Sequence, residues 1–404
     1  MLLLHRYAGL TMTLFLVIVG LTGSVLTFYR ELDAWLNPQL LTVTPQDRET
    51  LDPLKLRDQL LAADPRLRID YVALDQTPNQ ALDFAVQPQF DPRTQSEYSL
   101  CFTDIYLNPY DGSQLGRREW GAASLTRENL MPFLYRLHYS LALPSWIDRL
   151  APGRSVGGYV LGAVALLWTL DCFVGFYLTL PRRRSATSAA PRSWWQRWRP
   201  AWRVKPARLN YDLHRAAALW LWPMLLVFAW SSVSFNLTEV YSPVMHAAFA
   251  FRGDLPARST PLDAPAISFM QARDVGRQAL RILGEQNGFS IEHEDQISLD
   301  RDRGLYAYIV RSSADAGRWG TTTALIDADS GVVRDVQWPG NEQTGDSVGR
   351  WLTMLHMASV FGTPMRLLVG LLGLTIAMLS VTGVLIWRRK VLLADVAERS
   401  RRWR

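Results

Sequence analysis

Residues 4–10 (LHRYAGL) and residues 213–219 (LHRAAAL) open two hydrophobic segments with the same Leu-His-Arg sequence. A second pattern, Leu-x-x-Leu-His, occurs at residues 134–138 and at residues 352–356, just before two further hydrophobic segments. The sequence therefore reads as one membrane unit present twice, with a titratable, metal-binding histidine at each membrane boundary. This repetition favours paired ligation of a cofactor between the copies, and haem is the first candidate.

Four segments are long and apolar enough to cross a bilayer. Residues 7–29, 216–238 and 367–387 contain no charged side chain, and about 20 apolar residues suffice to span the hydrocarbon core. The fourth segment, residues 155–181, is as long but contains Asp171. Because a carboxylate is costly in lipid, Asp171 should face the bundle interior or a polar partner. It could carry protons, tune a nearby haem, or form a structural hydrogen bond to Tyr, Ser or Thr.

The distribution of Lys and Arg predicts the orientation in the membrane. Residues 182–215 hold ten basic and one acidic side chain, and residues 388–404 hold seven and two, so both should be cytoplasmic. Residues 30–154 and 239–366 each have a net charge of −4 and should be external. The pI near 9.4 then reports positive-inside topology and contact with anionic lipid, not binding of nucleic acid.

The first segment is expected to be an uncleaved anchor, because it is long for a secretory signal and no Ala-x-Ala site follows it. The two cysteines, Cys101 and Cys172, cannot build a disulfide framework. A Cys-x-x-Cys-His motif is absent from the sequence, which excludes covalent c-type haem.

Each external loop has the pattern of a helix followed by a small antiparallel sheet. The predicted helices are residues 52–63 and 268–283. The predicted strands are residues 69–74, 81–86, 99–107 and 114–118 in the first loop, and 289–298, 305–311, 321–326 and 332–337 in the second. The last two strands of each loop are joined by a polar turn that ends in glycine, Gly112 or Gly331, as a tight hairpin requires.

This plan predicts a membrane α+β fold with four transmembrane helices in two tandem repeats. The pattern of each periplasmic loop resembles a PepSY module, which implies two periplasmic PepSY-like α+β modules. The predicted segments are residues 1–29 (helix 1), 30–154 (module 1 and a pre-membrane helix), 155–181 (helix 2), 182–212 (basic loop), 213–238 (helix 3), 239–366 (module 2 and a pre-membrane helix), 367–387 (helix 4) and 388–404 (basic tail).

The topology divides the repeated histidines into two pairs. His5 and His214 both start spans on the cytoplasmic side and form the inner pair, whereas His138 and His356 precede spans on the other side and form the outer pair. Bis-histidine ligation needs two imidazoles at the same depth. One haem near each membrane face would provide an electron path across the bilayer.

Four arginines near these histidines could pair with haem propionates, since Arg donates bidentately to carboxylates: Arg6, Arg215, Arg136 and Arg350. His246 could replace a member of the outer pair or contact the electron acceptor. His293 lies on a polar strand and is expected to be solvated.

The four spans, the two external loops and both histidine patterns resemble the PepSY-associated transmembrane family, also described as iron-regulated membrane proteins. The resemblance covers essentially the whole chain. It implies an inner-membrane ferric-siderophore reductase that binds b-type haem, with the two modules as the docking surface for ferric siderophore. Asp171 and the run DCFVGFY at residues 171–177 depart from the more usual apolar second span, which leaves a subfamily with a different acceptor open.

Two rival functions remain at this point. One is a haem electron-transfer protein for another envelope acceptor, and the other is a non-redox PepSY membrane protein that regulates peptidases. Zinc hydrolysis is disfavoured because no His-Glu-x-x-His motif occurs. The sequence also lacks a dinucleotide fingerprint and a flavin domain, so the electron donor must be another protein, a quinol or an external reductant.

Overall fold

The structure, a computed structural model, describes residues 1–150, 155–180 and 194–402. Residues 182–193 of the predicted basic loop, the span-end residue Pro181 and residues 403–404 of the tail lie outside the described residues. The α-helices are α1 Leu2–Leu26, α2 Tyr29–Leu36, α3 Pro38–Leu41, α4 Pro53–Ala63, α5 Leu130–Ser140, α6 Val156–Thr179, α7 Pro206–Trp220, α8 Trp222–Asn236, α9 Thr238–Ala248, α10 Phe269–Asn287, α11 Thr344–His356 and α12 Gly362–Arg402.

Short 3-10 helices cover Ile147–Leu150 and Trp194–Trp198. The β-strands are β1 Leu67–Arg68, β2 Tyr71–Ala73, β3 Leu82–Ala85, β4 Gln87–Pro88, β5 Phe90–Asp91, β6 Ser96–Glu97, β7 Asp104–Leu107, β8 Gln114–Arg118, β9 Ile291–Asp300, β10 Leu305–Ser312, β11 Thr322–Asp327 and β12 Val333–Gln337.

Among the described residues, three helices are long and apolar enough to cross a membrane: α1, α6 and the Gly362–Leu392 part of α12. A fourth span exists if α7 and α8 are counted together, although they are bent by 70° at Leu221. Pro223 lies in the first turn of α8, where it has no N–H to donate and its ring disfavours continuation of α7. The sequence analysis predicted one uninterrupted helix here and did not foresee the bend.

The described chain divides into two compact units. The helical unit comprises Met1–Thr27, Leu134–Ala248 and Gly349–Arg404. Within it, α1 packs along α12 and against α6, while α6 packs against α8. Helices α1 and α12 approach each other closely through small residues, because a Cβ at Gly20 would lie only 2.7 Å from the carbonyl oxygen of Gly373. Such small contact residues let membrane helices pack backbone to backbone.

The sheet unit comprises Phe28–Phe133 and Phe249–Val348. Its largest sheet has five antiparallel strands in the order β12-β11-β10-β9-β2, and a second sheet has the order β3-β7-β8. Strand β2 comes from the first loop and pairs with β9 of the second, with Val72 opposite Ile297. Both residues are fully buried in one hydrophobic core with residues of α4 and α10. The two loops therefore share a sheet, whereas the sequence predicted a separate sheet in each.

The local predictions for the sheet unit agree with the structure. Both predicted helices form, as α4 and α10, and the main predicted strands form at their expected places. The hairpin glycines Gly112 and Gly331 have φ of 73° and 72°. This left-handed conformation is the one for which a residue without a Cβ is preferred.

Candidate functional site: two histidine pairs in the helical unit

His5 lies in the first turns of α1 and is held by Asp171 of α6. The Nδ1 atom of His5 is 3.0 and 2.9 Å from the two carboxylate oxygens of Asp171. An ionised carboxylate can only accept, so Nδ1 carries the proton and donates it. The Asp171 side chain is only 10% exposed, which agrees with the expectation that it faces the bundle interior. Its partner is the inner histidine and not a Tyr, Ser or Thr.

His214 lies on α7, and its Nδ1 is 2.9 Å from the hydroxyl oxygen of Thr382 on α12. The Thr382 hydroxyl donates its single proton to the helix carbonyl of Met378 at 2.8 Å. It must therefore accept from His214, which places the imidazole proton on Nδ1. In both inner histidines Nε2 then bears the lone pair that a metal requires.

The two inner rings are close to each other. Their centroids are 6.3 Å apart, with an interplanar angle of 63°. Aromatic side chains that pack against each other without any ligand have similar centroid separations. Two imidazoles that share one metal at about 2 Å per bond would have their ring centres roughly 6 Å apart. The separation of the two inner rings therefore matches that of a bis-histidine site.

A cavity of about 2000 Å³ surrounds the inner pair. Three glycines leave room in it: a Cβ at Gly9 would meet nothing within 4 Å, and a Cβ at Gly175 or Gly383 would first meet Cε1 of His5 or His214, at 3.6 and 3.5 Å. The space suffices for a flat macrocycle, since pockets for small cofactors usually measure about 300–1000 Å³.

The outer histidines are held by hydroxyl groups in the same manner as His214. Nδ1 of His138, on α5, is 3.0 Å from Thr22, and Nδ1 of His356, on α11, is 2.6 Å from Ser231. Each hydroxyl also donates to a carbonyl of its own helix, Ile18 for Thr22 at 2.7 Å and Phe228 for Ser231 at 3.2 Å. In this arrangement each hydroxyl can accept from Nδ1, which would leave Nε2 of both outer imidazoles for a metal.

The outer histidines are half-buried and mutually close. Burial lowers the pKa of His138 to about 4. Burial, together with nearby His138, lowers the pKa of His356 to about 3. Both are thus neutral at pH 7, which is the form that binds a metal. The ring of Phe228 stacks on His356 with centroids 4.5 Å apart, and a Cβ at Gly23 would lie 2.9 Å from Cε1 of His138.

The four arginines predicted to pair with haem propionates have different surroundings. Arg6 and Arg215 line the cavity of the inner pair, and the guanidinium of Arg215 also contacts Asp212 at 3.1 Å. Arg136, on α5, donates to the carbonyl of Leu143 at 2.9 Å, which competes with a role toward propionate. Arg350 is half-buried on α11, two turns before His356.

The remaining histidines lie elsewhere. His246 is exposed on α9, whereas the outer histidines are half-buried. His293 is half-buried on β9 in the sheet unit, opposite Arg311.

The sequence analysis missed the hydroxyl residues Thr22, Ser231 and Thr382. A signal for two of them was present, because Thr22 follows His5 by 17 residues and Ser231 follows His214 by the same interval. Among the described residues, no cluster of three or more His, Cys, Asp or Glu side chains could hold a metal ion.

The spans and the sheet unit define a membrane protein of the α+β class. Over residues 2–390 the sequence matches the family described as PepSY-associated TM region. The chain belongs to this family, as the sequence analysis predicted. Among curated proteins, none matches this sequence.

Proposed function

We propose that this chain is a di-haem b oxidoreductase of the bacterial inner membrane, which passes electrons across the bilayer to reduce ferric siderophore in the periplasm. The observation that carries the proposal is the state of the four histidines. Each has Nδ1 within hydrogen-bond distance of a side-chain oxygen on a neighbouring helix, an arrangement that leaves Nε2 for a metal. Metal-binding histidines in proteins are held in this way by their outer partners.

The four histidines offer two pairs of haem ligands, and the inner pair lines a cavity with room for a haem. His5 and His214 would hold the inner haem, with Asp171 and Thr382 fixing both rings, and His138 and His356 would hold the outer haem. Haem b, when bound, supplies an iron that takes up and releases one electron. Arg6 and Arg215, which line the inner cavity, provide positive charge for the propionates. The predicted tandem repeat accounts for the equal spacing of Thr22 and Ser231 from the inner histidines.

The direction across the membrane is supported by the charge distribution of the sequence, which favours cytoplasmic termini and a periplasmic sheet unit. The sheet unit would then be the docking surface for ferric siderophore. The choice of this acceptor rests on the family resemblance. Reduction would release the iron, because the hard oxygen ligands of a siderophore bind Fe(III) far more strongly than Fe(II). The electron donor is a cytoplasmic protein, a quinol or another reductant.

The haem content tests the proposal directly. Protein produced with a supply of haem and purified in mild detergent should show a b-type α-band after reduction with dithionite, with two haems per chain. His356→Ala should remove one haem and leave the other, while His293→Ala, a histidine replacement in the sheet unit, should remove neither. A reduced spectrum without the α-band would overturn the haem assignment.

The acceptor is tested separately. The reduced protein should be oxidised by ferric siderophores in stopped-flow measurements, with release of Fe(II) to a ferrous-specific chelator. Oxidation by none of a chemically varied set of ferric siderophores would overturn the acceptor and leave the haem assignment in place.

A further inference from the structure

The four Nδ1 partners are not equivalent. Three are hydroxyl groups, and one is the carboxylate of Asp171. The carboxylate approaches Nδ1 of His5 with both oxygens, at 2.9 and 3.0 Å. The inner pair therefore differs from the outer pair in one charged Nδ1 partner, which lies in a cavity that Arg6 and Arg215 also line.

A carboxylate and a hydroxyl affect a coordinating imidazole differently. The three hydroxyls already donate to helix carbonyls, so each offers the imidazole only a neutral acceptor. A carboxylate attracts the Nδ1 proton more strongly, which raises the basicity of Nε2 as a ligand. A more basic ligand stabilises the ferric form more than the ferrous form, and so lowers the reduction potential.

The surroundings of Asp171 strengthen this effect. Its side chain is 10% exposed within the apolar helix α6, where low local polarity increases the interaction of a charge with its neighbours. The second carboxylate near the cavity, Asp212, is differently placed. It lies between two guanidinium groups, Arg208 at 3.0 Å and Arg215 at 3.1 Å, which offset its charge.

We propose that Asp171 makes the inner histidine pair the site of lower reduction potential, so that electrons pass energetically downhill from the inner to the outer pair. This inference rests on the proposed haem function. In the transfer, the group held by the inner pair would be oxidised by one electron and the group held by the outer pair would be reduced by one electron. The histidines keep their Nδ1 protons throughout. Asp171 is a positioning residue, which acts on the iron through His5.

Potentiometric titration of the haem-loaded full chain, followed by the α-band, tests the inference. The wild-type protein should show two potentials. His356→Ala, which keeps only the inner haem, should retain the lower one. Asp171→Asn preserves the size of the side chain and an oxygen that can accept from His5 but removes the charge. It should raise the lower potential by at least about 59 mV, a tenfold change for a one-electron couple, and leave the higher potential unchanged.

Two further variants complete the test. Asp171→Glu, which keeps the carboxylate, should retain the low potential. If Asp171→Asn fails to hold the inner haem, the potential of Asp171→Glu tests the role of the carboxylate instead. Ser231→Ala should shift only the higher potential. If two haems bind and neither potential moves in Asp171→Asn, or if Asp171→Glu raises the lower potential as much as Asp171→Asn does, the role of Asp171 is refuted and the haem assignment stands. Absence of haem from the wild-type protein would instead refute the proposed function itself.

Discussion

A hydroxyl group has one proton, and this limit sets the tautomer of a histidine whose hydroxyl partner donates to a helix carbonyl. Thr382 shows how the helix backbone takes part. Its proton is committed to the carbonyl of Met378, so the oxygen can only accept from His214. The helix carbonyl thereby controls, through one side chain, which imidazole nitrogen is available to a metal.

Thr382→Val removes this acceptor while it preserves the shape of the side chain. We expect the inner haem to be held about 10–100-fold less tightly, the usual cost of losing an outer partner of a metal-binding histidine. The rate of haem transfer to a scavenging apoprotein measures the change. Thr375→Val is the matched control, because Thr375 lies on the same helix and its hydroxyl donates to a helix carbonyl at the same distance of 2.8 Å. If both variants lost haem at the same rate, the role of Thr382 as the partner of His214 would be contradicted.

Gly23→Ala tests the outer pair. The added Cβ would lie 2.9 Å from Cε1 of His138, closer than side-chain carbons normally approach. The ring must therefore move, and we expect loss of the outer haem with retention of the inner one. The haem-to-protein ratio should fall from two toward one. Gly349→Ala, on the helix that carries His356, meets only the hydroxyl of Tyr241 at 3.6 Å and should leave the ratio at two.

The placement of the histidines was predictable from the sequence, whereas their hydrogen-bond partners were predictable only in part. The repeated motifs predicted that His5 and His214 would meet, and the structure brings their rings to 6.3 Å. The repeat also contained the spacing of Thr22 and Ser231. The contact between His5 and Asp171 could not be predicted, because it joins residues 166 positions apart and depends on the rotation of α1 against α6.

At the scale of elements, helix α10 is fixed to the sheet by an ionic network centred on Glu294 of β9. Arg273 and Arg277 from α10 donate to its carboxylate, and so does the hydroxyl of Tyr308 on β10. Partial burial works against the ionised form, but the hydrogen bonds from Arg273 and Tyr308 outweigh it and lower the pKa of Glu294 to about 2. The network should therefore persist into mildly acidic conditions.

Glu294→Gln should destabilise the sheet unit by about 2 kcal/mol at pH 7, since it removes hydrogen bonds to a charged acceptor. A lowered pKa contributes stability above the ordinary pKa of 4.5 and loses it as the pH falls toward 2. Amide exchange in α10 and β9 of the full chain should thus be faster in the variant at pH 7, with a smaller difference at pH 3. Glu285→Gln, which breaks an exposed ion pair with Arg281, should leave amide exchange in α10 and β9 unchanged. If the exchange rates of variant and wild type differed more at pH 3 than at pH 7, the role assigned to Glu294 would be contradicted.

The elements themselves were largely predictable, because hydrophobic period and turn glycines act locally. The pairing of β2 with β9 was not, since it joins strands more than 200 residues apart that come from different loops. Strand β2 has only three residues, so its alternation could not identify a partner. The bend at Leu221 did have a local signal in Pro223, which the uninterrupted apolar run concealed.

At the scale of the whole molecule, the proposed function depends on the orientation of the two histidine pairs relative to the membrane. Positive charge in the sequence favours a cytoplasmic inner pair. The two cysteines allow this orientation to be measured, because Cys101 is exposed in the sheet unit and Cys172 is buried in the helical unit.

A thiol reagent that cannot cross the inner membrane should label the protein in intact spheroplasts through Cys101 alone, because only that thiol is accessible. Cys101→Ser should abolish the labelling. Trp195→Cys in the Cys101→Ser background places a thiol at a position that is 68% exposed in the basic segment, and it should react only after the membrane is permeabilised. The opposite pattern, with Trp195→Cys labelled in intact spheroplasts and Cys101 protected, would reverse the orientation. His5 and His214 would then lie on the periplasmic side, and electrons could not reach a periplasmic siderophore in the proposed order.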